Sequence, residues 1–380
     1  MIRKVLHTCP LGTGGVTSMV LNICDHMDRT KLNFDYLKYS SKKGFSEDRA
    51  LALGGRVYAA YNDDATNGFM KFWLKFYRCY TACKKAKPDI FHINASTPYD
   101  TLLGIGAKLA GVKRVIVHSH NANNTDKSKL KYLINKFCKF IMPLYTDAYF
   151  TCSTEAAKYM FPACVVRNEK YSYIHNGIDT KKFAYNDAIR QQLRKENGLE
   201  NKVVFANVGR FFKQKNHEFL IEIFANIAKK RDDVVLLLVG EGEMQDFIKE
   251  KVNKMGLKEK VIFCGSSNRI NELMQMMDVM LMPSLHEGLP VVGIEAQVSG
   301  LLCVFSDCIT KEVDITHESV FLPLNQGPEY WANTIILRLN KNRERHSNEI
   351  IAKKLGYDIE DVARSLTNEY IKLLSKQGDK

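Results

Sequence analysis

Short apolar runs alternate with longer amphipathic segments along the chain, and this alternation constrains the fold more than any other feature. In the first half the apolar runs cover residues 4–8, 33–39, 57–60, 89–93, 115–118 and 148–151. The segments with helical spacing between them cover residues 17–27, 69–86, 101–110 and 130–144. Near-continuous apolar runs are typical of strands buried on both faces, and strands that alternate with helices are typical of a parallel sheet. The sequence therefore predicts an α/β fold.

The second half repeats the pattern. Its apolar runs cover residues 203–208, 234–239, 261–263, 279–282 and 302–305, and its helical segments include 217–230, 328–340 and 359–375. A chain of 380 residues is too long for one ordinary core, so two domains of roughly 180 residues each are expected.

Composition narrows the class of protein. The hydrophobic fraction of 45% and the charged fraction of 26% are typical of a globular chain and exclude a disordered one. The apolar runs are far shorter than the ~20 residues of a membrane-spanning helix, and the N-terminus lacks a signal-peptide pattern. Ten cysteines are scattered without C-x-x-C pairs, which favours buried thiols in a reducing cytosol over a zinc or disulfide framework.

The net charge of +13 is concentrated in the first half of the chain. Residues 1–183 contain 28 Lys and Arg against 14 Asp and Glu, whereas residues 184–380 contain 27 against 28. Two predicted helices, 67–87 and 127–140, carry basic residues and no acid. Apolar residues recur in both at helical spacing, which predicts that each helix buries an apolar stripe in the core.

These basic faces suit an anionic partner, either a nucleic acid or a membrane surface. Near an anionic leaflet each Lys or Arg contributes ~1 kcal/mol, so a handful is enough for reversible docking. We therefore expect a peripheral membrane contact through helices 67–87 and 127–140. No nucleic-acid-binding motif is visible, and nucleic acid is not expected as a partner.

Residues 279–295 combine a strand, a glycine-containing turn and a helix start. Pro290 lies in a first helical turn, where its missing N–H costs nothing. Free backbone N–H groups and the positive end of the helix dipole favour an anion there. A carboxylate beside an anion is unfavourable unless it binds another group, such as sugar hydroxyls, and the stretch contains both Glu287 and Glu295. It therefore predicts a nucleotide sugar as ligand.

Glu287-Gly288-Leu289-Pro290 together with Glu295 resembles the signature of the family 4 retaining glycosyltransferases of the GT-B fold. The resemblance implies two Rossmann-like parallel-sheet domains that face each other across a cleft, with a C-terminal helix crossing back to the first domain. Residues 174–179 resemble the turn that closes the first domain in this family. The expected division is an acceptor-binding, membrane-facing domain at 1–182, a nucleotide-sugar domain at 183–358 and a final helix at 359–380, with 180–187 as the linker.

Two features of the first half lie at predicted strand ends. Gly12, Gly14 and Gly15 follow the first strand, where they allow either a tight turn or the close approach of a ligand. His118 and His120 alternate at the end of the 115–118 strand and therefore face the same way. The resemblance implies that Gly14 and Gly15 face the donor phosphate or the acceptor. It also implies that a histidine here hydrogen-bonds the donor sugar, with His118 and His120 both open and a slight preference for His120.

Arg210 and Lys215 flank a loop at the carboxyl end of the 203–208 strand. Arg can hold a phosphate bidentately and Lys supplies a compact charge, although two ordinary surface charges would look the same. The resemblance implies that the pair binds the donor diphosphate. It also implies that the Gly240–Gly242 turn lies at the donor site and that Gly265 belongs to the segment that contacts the nucleotide base.

The resemblance assigns the remaining roles. Glu287 would contact hydroxyls of the transferred sugar, and with His118 or His120 it forms the predicted catalytic set. Glu295 would hold the ribose hydroxyls. The predicted donor-binding backbone follows Glu287 and consists of Gly288, Leu289, Pro290 and Val291.

No metal and no cofactor are expected. The sequence has no Asp-x-Asp and no clusters at metal-ligand spacing, so Arg210, Lys215 and the helix start would stabilise the leaving nucleoside diphosphate. The family retains the anomeric configuration, with a donor phosphate oxygen taking the acceptor's proton.

Leu6-His7-Thr8, Gly14-Gly15-Val16 and the segment from His118 further resemble bacterial capsular and exopolysaccharide transferases. The expected function is transfer of a hexose-type sugar, in the first place from a UDP-sugar, to a polyprenyl-diphosphate-linked glycan. The expected location is cytoplasmic, on the inner face of the cell membrane.

Three alternatives remain. The first is a GT-B enzyme acting on a soluble or glycolipid acceptor. The second, a nicotinamide-dependent oxidoreductase, lacks a G-x-G-x-x-G with a downstream acid at its first strand–helix turn. The third, a nucleic-acid-binding protein, leaves Glu287 and Glu295 without a role.

Overall fold

Two compact units make up the chain. The computed structural model describes residues 2–12, 14–59, 68–120, 128–340 and 344–375, and for residues 68–72 it describes the backbone alone. The first unit comprises Met1–Ile178 and Gly356–Lys380, and the second comprises Asp179–Leu355. The division expected from the sequence is 1–182, 183–358 and 359–380, and the roles assigned to these parts stay predictions.

Each unit is built on its own parallel sheet. The described strands are β1 (Arg3–Thr8), β2 (Leu32–Lys38), β3 (Val57–Ala59), β4 (Ile90–Ala95), β5 (Arg114–Ser119), β6 (Ala148–Thr151), β7 (Ser172–Tyr173), β8 (Val203–Val208), β9 (Val234–Val239), β10 (Val261–Gly265), β11 (Val279–Met282), β12 (Leu302–Ser306) and β13 (Val320–Leu322). The first sheet has the order β3-β2-β1-β4-β5-β6-β7 and the second has the order β10-β9-β8-β11-β12-β13. The predicted class, two Rossmann-like parallel sheets, is confirmed.

Helices connect the strands. The described helices are α1 (Gly15–His26), α2 (Glu47–Ala52), α3 (Gly68–Ala86), α4 (Leu103–Leu109), α5 (Lys129–Ile141), α6 (Thr154–Met160), α7 (Ala163–Arg167), α8 (Thr180–Phe183), α9 (Asp187–Glu196), α10 (His217–Ala228), α11 (Gln245–Lys254), α12 (Ile270–Met276), α13 (Val291–Val298), α14 (Gly327–Leu339), α15 (Glu349–Lys354) and α16 (Ile359–Ser375). None of them combines the length and the apolar content that crossing a bilayer requires.

Strand order creates a switch point in each sheet. In the first sheet the chain turns from one side to the other between β1 and β4, and in the second it does so between β8 and β11. Ligands of open α/β sheets bind beyond the carboxyl ends of the strands at such points, because the connecting loops diverge there. A ligand site is therefore expected at the loops after β1, β4, β8 and β11.

The last helix belongs to the first unit. Ile359, Val362, Leu366 and Tyr370 recur at helical spacing on α16 and are buried in one apolar cluster with residues of α1. Backbone bonds fix the start of the helix, because Ile178 N donates to Tyr357 O (2.8 Å) and Ile359 N donates to Ile178 O (2.9 Å).

Residues 180–187, interpreted above as a linker, are instead packed into the second unit. The Asp179 carboxylate accepts from Lys182 N (2.9 Å) and caps α8. Ser299 Oγ donates to Phe183 O (2.7 Å), and Thr180 is fully buried. The linker interpretation was wrong because the contact from Ser299, which is distant in sequence, packs the segment against α13 of the second unit.

The prediction that the 127–140 helix buries its apolar stripe in the core is also wrong. Four of its apolar residues, Leu130, Leu133, Phe137 and Phe140, are exposed, and Cys138 is the buried position on α5. The physical reason is that α5 packs against a short 3₁₀ turn, Pro98–Leu102, through the face that carries Cys138. The other predicted basic helix, α3, buries Cys79, Ala82, Cys83 and Ala86 and exposes Trp73 and Tyr77. Residues 67 and 127 and the side chain of Lys71 lie outside the described residues.

We predict that Gly177→Ala destabilises the first unit. A Cβ at this position would lie 2.8 Å from Ile359 Cδ1 and 3.1 Å from Val362 Cβ, so α16 would have to shift. The expected cost is roughly 1–3 kcal/mol of unfolding free energy, measured by chemical denaturation. Gly106→Ala is the matched control, because its Cβ would meet Phe76 at an ordinary 3.4 Å inside α4. Equal stability of the two variants would show that α16 does not depend on this close approach.

Candidate active site

Two neighbouring loops at the switch point of the second sheet are bound to each other. One loop follows β8 and the other follows β11, and these strands pair in parallel. Leu285 N donates to Gln214 O (2.8 Å), and Gln214 Nε2 donates to His286 O (2.9 Å). Asn216 Nδ2 donates to Pro283 O (3.1 Å). These three bonds make the two loops a single platform that carries the predicted donor-binding residues.

The platform brings Lys215 and Glu287 together. Lys215 Nζ lies 2.6 Å from Glu287 Oε1, and Gln214 Nε2 lies 3.4 Å from Glu287 Oε2. Gly209 permits this, because a Cβ there would approach Lys215 Cε to 3.2 Å. The ion pair is mostly buried, with 19% of the lysine side chain and 9% of the glutamate side chain exposed. Each charge therefore orients the other, which motif spacing alone did not indicate.

Arg210 is available to a ligand. Its side chain is exposed, and its guanidinium lies over the Phe212 ring at 4.4 Å from the centroid, a cation–π contact that steadies it. Within the described ranges of the chain, no carboxylate forms an ion pair with Arg210. Its planar fork of N–H donors can therefore bind phosphate oxygens.

The start of α13 lies on the same platform. Pro290 is the N-cap and the helix begins at Val291, one residue later than the sequence placed it. Gly293 allows α13 to pack closely, since a Cβ there would lie 2.9 Å from Val313 Cγ2 and 3.2 Å from Phe305. The positive end of the helix dipole adds to the two basic side chains in attracting an anion.

Glu295 lies one turn into α13, as predicted, and its environment is unusual. Burial raises the pKa of its carboxyl from the ordinary 4.5 to about 7. In the part of the chain that the structure describes, no protein group donates a hydrogen bond to the Glu295 carboxyl, which is half-buried. Hydroxyl groups of a ligand would supply such bonds, and this fits the ribose contact expected from the sequence.

The glycines after β9 have a structural explanation. Gly240 has φ +136°, and a Cβ there would lie 2.1 Å from Gly209 O. A Cβ at Gly242 would lie 2.7 Å from both Phe211 N and Phe211 O. These glycines let the loop after β9 pack against the Arg210 loop. Gly265, with φ +65°, follows on β10 and accepts from Gly240 N (2.8 Å), and its contact with a nucleotide base stays a prediction.

Four histidines form a buried cluster at the switch point of the first sheet. His92 Nδ1 lies 2.6 Å from Tyr370 Oη, and His92 Nε2 lies 3.2 Å from His118 Nδ1. The His118 and His120 rings are 4.1 Å apart, which agrees with the shared direction expected for alternating residues. The His7 and His92 rings stack at 4.7 Å.

Burial keeps these imidazoles neutral. It lowers the pKa of His7 and of His120 to about 3, and it lowers the pKa values of His92 and His118 well below their ordinary value. Since protonation is disfavoured only in the folded state, the first unit loses stability as the pH falls from 6.5 towards 3.

Asn94 selects the tautomer of His120. Asn94 Nδ2 donates to Thr8 O (2.9 Å), so Asn94 Oδ1 is the atom that faces His120 Nε2, also at 2.9 Å. An amide oxygen only accepts, so His120 Nε2 carries the proton and Nδ1 is an acceptor. His120 is 9% exposed and His118 is 1% exposed, so His120 is the better placed to meet a ligand.

Gly14 and Gly15 stand at the start of α1. Gly14 is the N-cap of α1 and Gly15 is its first residue, and a Cβ at either would meet nothing within 4 Å. Protein packing therefore does not explain these glycines, and their approach to a ligand stays a prediction. Thr13 and Asn121, which belong to the two predicted motifs of this unit, lie outside the described residues.

Comparison with known proteins gives the family. The profile of "Glycosyltransferase Family 4" matches residues 13–182, and that of "Glycosyl transferases group 1" matches residues 189–354. The glycosyltransferase EpsF of Bacillus subtilis is 32% identical over 378 residues, which covers 97% of this chain and 96% of EpsF. The chain belongs to the family 4 glycosyltransferases.

A second relative agrees with this glycosyltransferase assignment, and a solved structure agrees with the fold. An Escherichia coli enzyme named UDP-Gal:alpha-D-GlcNAc-diphosphoundecaprenol alpha-1,3-galactosyltransferase is 34% identical over 246 residues, 61% of this chain and 62% of the relative. The structure of Anabaena HepE with UDP and glucose superposes with a TM-score of 0.78 at 16% identity, covering 98% of this chain and all of HepE. The second comparison supports the GT-B fold.

Sequence reasoning missed several residues of the glycosyltransferase's two switch points. Gln214 joins the loops of the second unit, and Asn94, His92 and Tyr370 surround the predicted histidines. His92 and Asn94 do alternate at the end of a predicted strand, which is a usable signal. This alternation places His92 and Asn94 beside His118 and His120 only because β4 pairs with β5. In the described part of the chain, no three His, Cys, Asp or Glu side chains form a group able to hold a metal ion.

We predict that Glu295→Gln changes the pH dependence of stability. The folded protein holds the Glu295 proton up to a pH of about 7 and the unfolded chain releases it near 4.5, so the wild type loses stability as pH rises through this window. The variant lacks this loss and should gain roughly 2–3 kcal/mol relative to the wild type between pH 4.5 and 8. Denaturation at several pH values measures this. Glu243→Gln, an exposed position, is the control, and parallel pH profiles for the wild type and Glu295→Gln would contradict the prediction.

We predict that His120 is an Nε2–H tautomer and that Asn94 keeps it so. Nitrogen-15 NMR of histidine-labelled protein, assigned by difference from His120→Ala, reads the tautomer directly. Asn94→Leu removes the acceptor and should produce a mixture of tautomers. Asn94→Asp places a carboxylate beside the ring and should raise the pKa of His120. An Nδ1–H signal from His120 in the wild type would refute the assignment.

Proposed function

We propose that this glycosyltransferase moves a hexose-type sugar from a nucleotide sugar, in the first place a UDP-sugar, to a polyprenyl-diphosphate-linked glycan during exopolysaccharide or capsule synthesis, with retention of the anomeric configuration. The observation that carries the proposal is the platform of Arg210, Lys215 and Glu287 at the β8–β11 switch point. It combines positive charge for a diphosphate with a carboxylate for sugar hydroxyls.

The donor-binding roles follow from the platform's chemistry. Arg210, Lys215 and the start of α13 bind the diphosphate. Glu287, held in place by Lys215, accepts hydrogen bonds from sugar hydroxyls. Glu295 accepts from the ribose hydroxyls, which stabilise its charged form. The backbone around Gly265 contacts the base. From the first unit, His120 Nδ1 accepts from a hydroxyl of the donor sugar, and Gly14 and Gly15 allow a phosphate or the acceptor to approach closely.

The reaction needs electrostatic stabilisation more than a protein base. The bond between the anomeric carbon and the diphosphate oxygen breaks, and the acceptor oxygen bonds to that carbon on the same face. The acceptor's proton passes to an oxygen of the departing phosphate. Preorganised positive groups stabilise the developing charge, so we propose that the enzyme requires neither a metal ion nor a cofactor.

The comparisons support this choice of donor and acceptor. HepE binds UDP and glucose, and the Escherichia coli relative is named for a UDP-galactose donor and a diphosphoundecaprenol-linked acceptor. A relative from Erwinia amylovora is named as an amylovoran biosynthesis glycosyltransferase. Transfer to a soluble or glycolipid acceptor is the second candidate, because the platform residues are assigned to the donor and do not specify the acceptor.

A lipid-linked acceptor requires the enzyme to work at a membrane. We propose peripheral docking of the first unit on the anionic inner face of the cell membrane through the basic helices 67–87 and 127–140. The excess of positive charge in residues 1–183 favours this surface.

A panel of nucleotide sugars tests the donor class. The purified enzyme is mixed with each candidate, and the shift in thermal unfolding temperature and the release of nucleoside diphosphate are measured. A UDP-sugar should raise the unfolding temperature and be slowly hydrolysed in the presence of a chelator. Protection by nicotinamide nucleotides alone would contradict the proposal.

We predict that Lys215→Ala and Glu287→Ala each lower the rate of sugar transfer by about 10²–10³-fold, because each removes a preorganised charge from the platform. Lys213→Ala and Glu243→Ala, exposed neighbours of the same charge types, are the matched controls and should retain normal rates. Circular dichroism and thermal unfolding check that the fold persists. Near-normal transfer by both platform variants would refute the site.

A further inference from the structure

An apolar stripe on α5 and the turn after it faces away from the core of the first unit. Its members lie three or four residues apart, so they form one line along the helix. They are the exposed residues Leu130 (68%), Leu133 (60%), Phe137 (60%), Phe140 (81%) and Leu144 (83%). Cys138, Met142 and Tyr145, on the other side, are buried. Single exposed apolar residues are common, but a continuous row of five large ones marks an interaction surface.

Basic residues flank this stripe. Lys129, Lys131 and Lys136 are exposed on α5, and no acid occurs in residues 129–146. An apolar face bordered by lysines is complementary to a leaflet with anionic headgroups and an acyl interior. A second copy of the chain is a poorer partner, because a symmetric contact would bring like charges together.

We propose that α5 inserts this stripe into the boundary between headgroups and acyl chains, with its lysines among the phosphates. The inference rests on the membrane docking proposed above and changes its physical basis. Docking by charge alone uses basic faces of helices 67–87 and 127–140, whereas insertion gives the main role to the apolar residues of α5. Helices of this kind lie in the plane of the interface, buried by about 5–10 Å.

The neighbouring helix offers further anchors. Trp73 and Tyr77 on α3 are 51% and 62% exposed, and Trp and Tyr are enriched at membrane interfaces. Lys75 of α3 pairs with Asp100 at 3.0 Å, and Asp100 belongs to the same 3₁₀ turn against which α5 packs. The two helices therefore border one turn, and both expose large apolar groups.

The position of α5 connects insertion with the site. The helix packs on the Pro98–Leu102 turn, which follows β4 at the same edge of the first sheet as His120. Insertion would hold this edge close to the leaflet, where the sugar end of a lipid-linked acceptor is found.

Vesicle binding of the full-length enzyme tests the proposal. Cosedimentation is measured with vesicles of phosphatidylcholine alone and of phosphatidylcholine mixed with phosphatidylglycerol, at low salt and at about 1 M sodium chloride, where the Debye length is about 3 Å. Insertion predicts strong binding to the mixed vesicles that is reduced but retained at high salt. Complete loss at high salt would overturn insertion and leave docking by charge.

Variants separate the contribution of the apolar stripe on α5 from that of other exposed apolar residues. Phe137→Ser with Phe140→Ser should weaken binding by about 10- to 100-fold, since both side chains leave the acyl region. Phe247→Ser, at an exposed phenylalanine of the second unit, should bind normally. A Phe137→Ser/Phe140→Ser enzyme that binds vesicles as well as the wild type would overturn the proposal. Light scattering is the second measurement. A wild-type dimer that these two substitutions dissociate would also overturn the proposal.

Two readouts keep this test independent of the transfer activity. Phe140→Trp should shift its fluorescence to shorter wavelength with mixed vesicles and be quenched by brominated acyl chains, and an unchanged spectrum would count against insertion. Donor hydrolysis in solution should be the same for the Phe137→Ser/Phe140→Ser variant and the wild type. Failure of insertion can therefore be told from failure of the proposed activity.

Discussion

Parallel pairing of β8 with β11 is the constraint on which the candidate site depends. These strands are adjacent in the sheet although they lie about 70 residues apart in the chain, so their following loops emerge side by side. Arg210, Lys215, Glu287 and the start of α13, which are proposed to bind the donor diphosphate and sugar, lie on or next to those two loops. The bonds from Gln214 and Asn216 hold the loops together, and the Lys215–Glu287 ion pair then sets where positive and negative charge are presented.

Charge placement explains how a carboxylate can belong to an anion site. Glu287 alone would repel a diphosphate, but next to Lys215 its charge is largely compensated and its oxygens are held in a fixed direction. Glu295 is accommodated differently. Burial raises the pKa of its carboxyl to about 7, so part of it is neutral near neutral pH. Ribose hydroxyls that donate to the carboxylate would favour its charged form. The first unit uses neutral groups, because four buried histidines and Asn94 offer directed donors and acceptors without net charge. The switch point of the second unit thus carries charged groups, and the switch point of the first unit carries neutral groups with fixed hydrogen bonds.

Local pattern was enough to predict much of the fold. The runs at 148–151, 203–208, 234–239 and 279–282 became strands with the predicted bounds, because strands buried on both faces are apolar throughout. The helix 359–375 was likewise visible from its periodicity. Strands β7 and β13 were not predicted, since edge strands of two or three residues carry too little pattern.

The remaining differences arise from tertiary contacts. The segment from Thr180 was predicted to be a linker, but Ser299 and Asp179 bind it. The stripe on α5 has ordinary core periodicity, and only the packing of α5 on Pro98–Leu102 shows that the stripe faces outward. Motif residues such as Lys215, Glu287 and Glu295 could be named from the sequence. Gln214, which contacts Glu287, and Asn94, which contacts His120, could not be named, because these contacts depend on which strands are adjacent in the sheet.

An experimental structure of this glycosyltransferase with a bound nucleoside diphosphate tests the central claim most directly. The account predicts that diphosphate oxygens lie about 3 Å from the Arg210 guanidinium and Lys215 Nζ, with the ribose hydroxyls donating to Glu295. A nucleotide bound away from the β8–β11 switch point, with the Lys215–Glu287 platform empty, would contradict it.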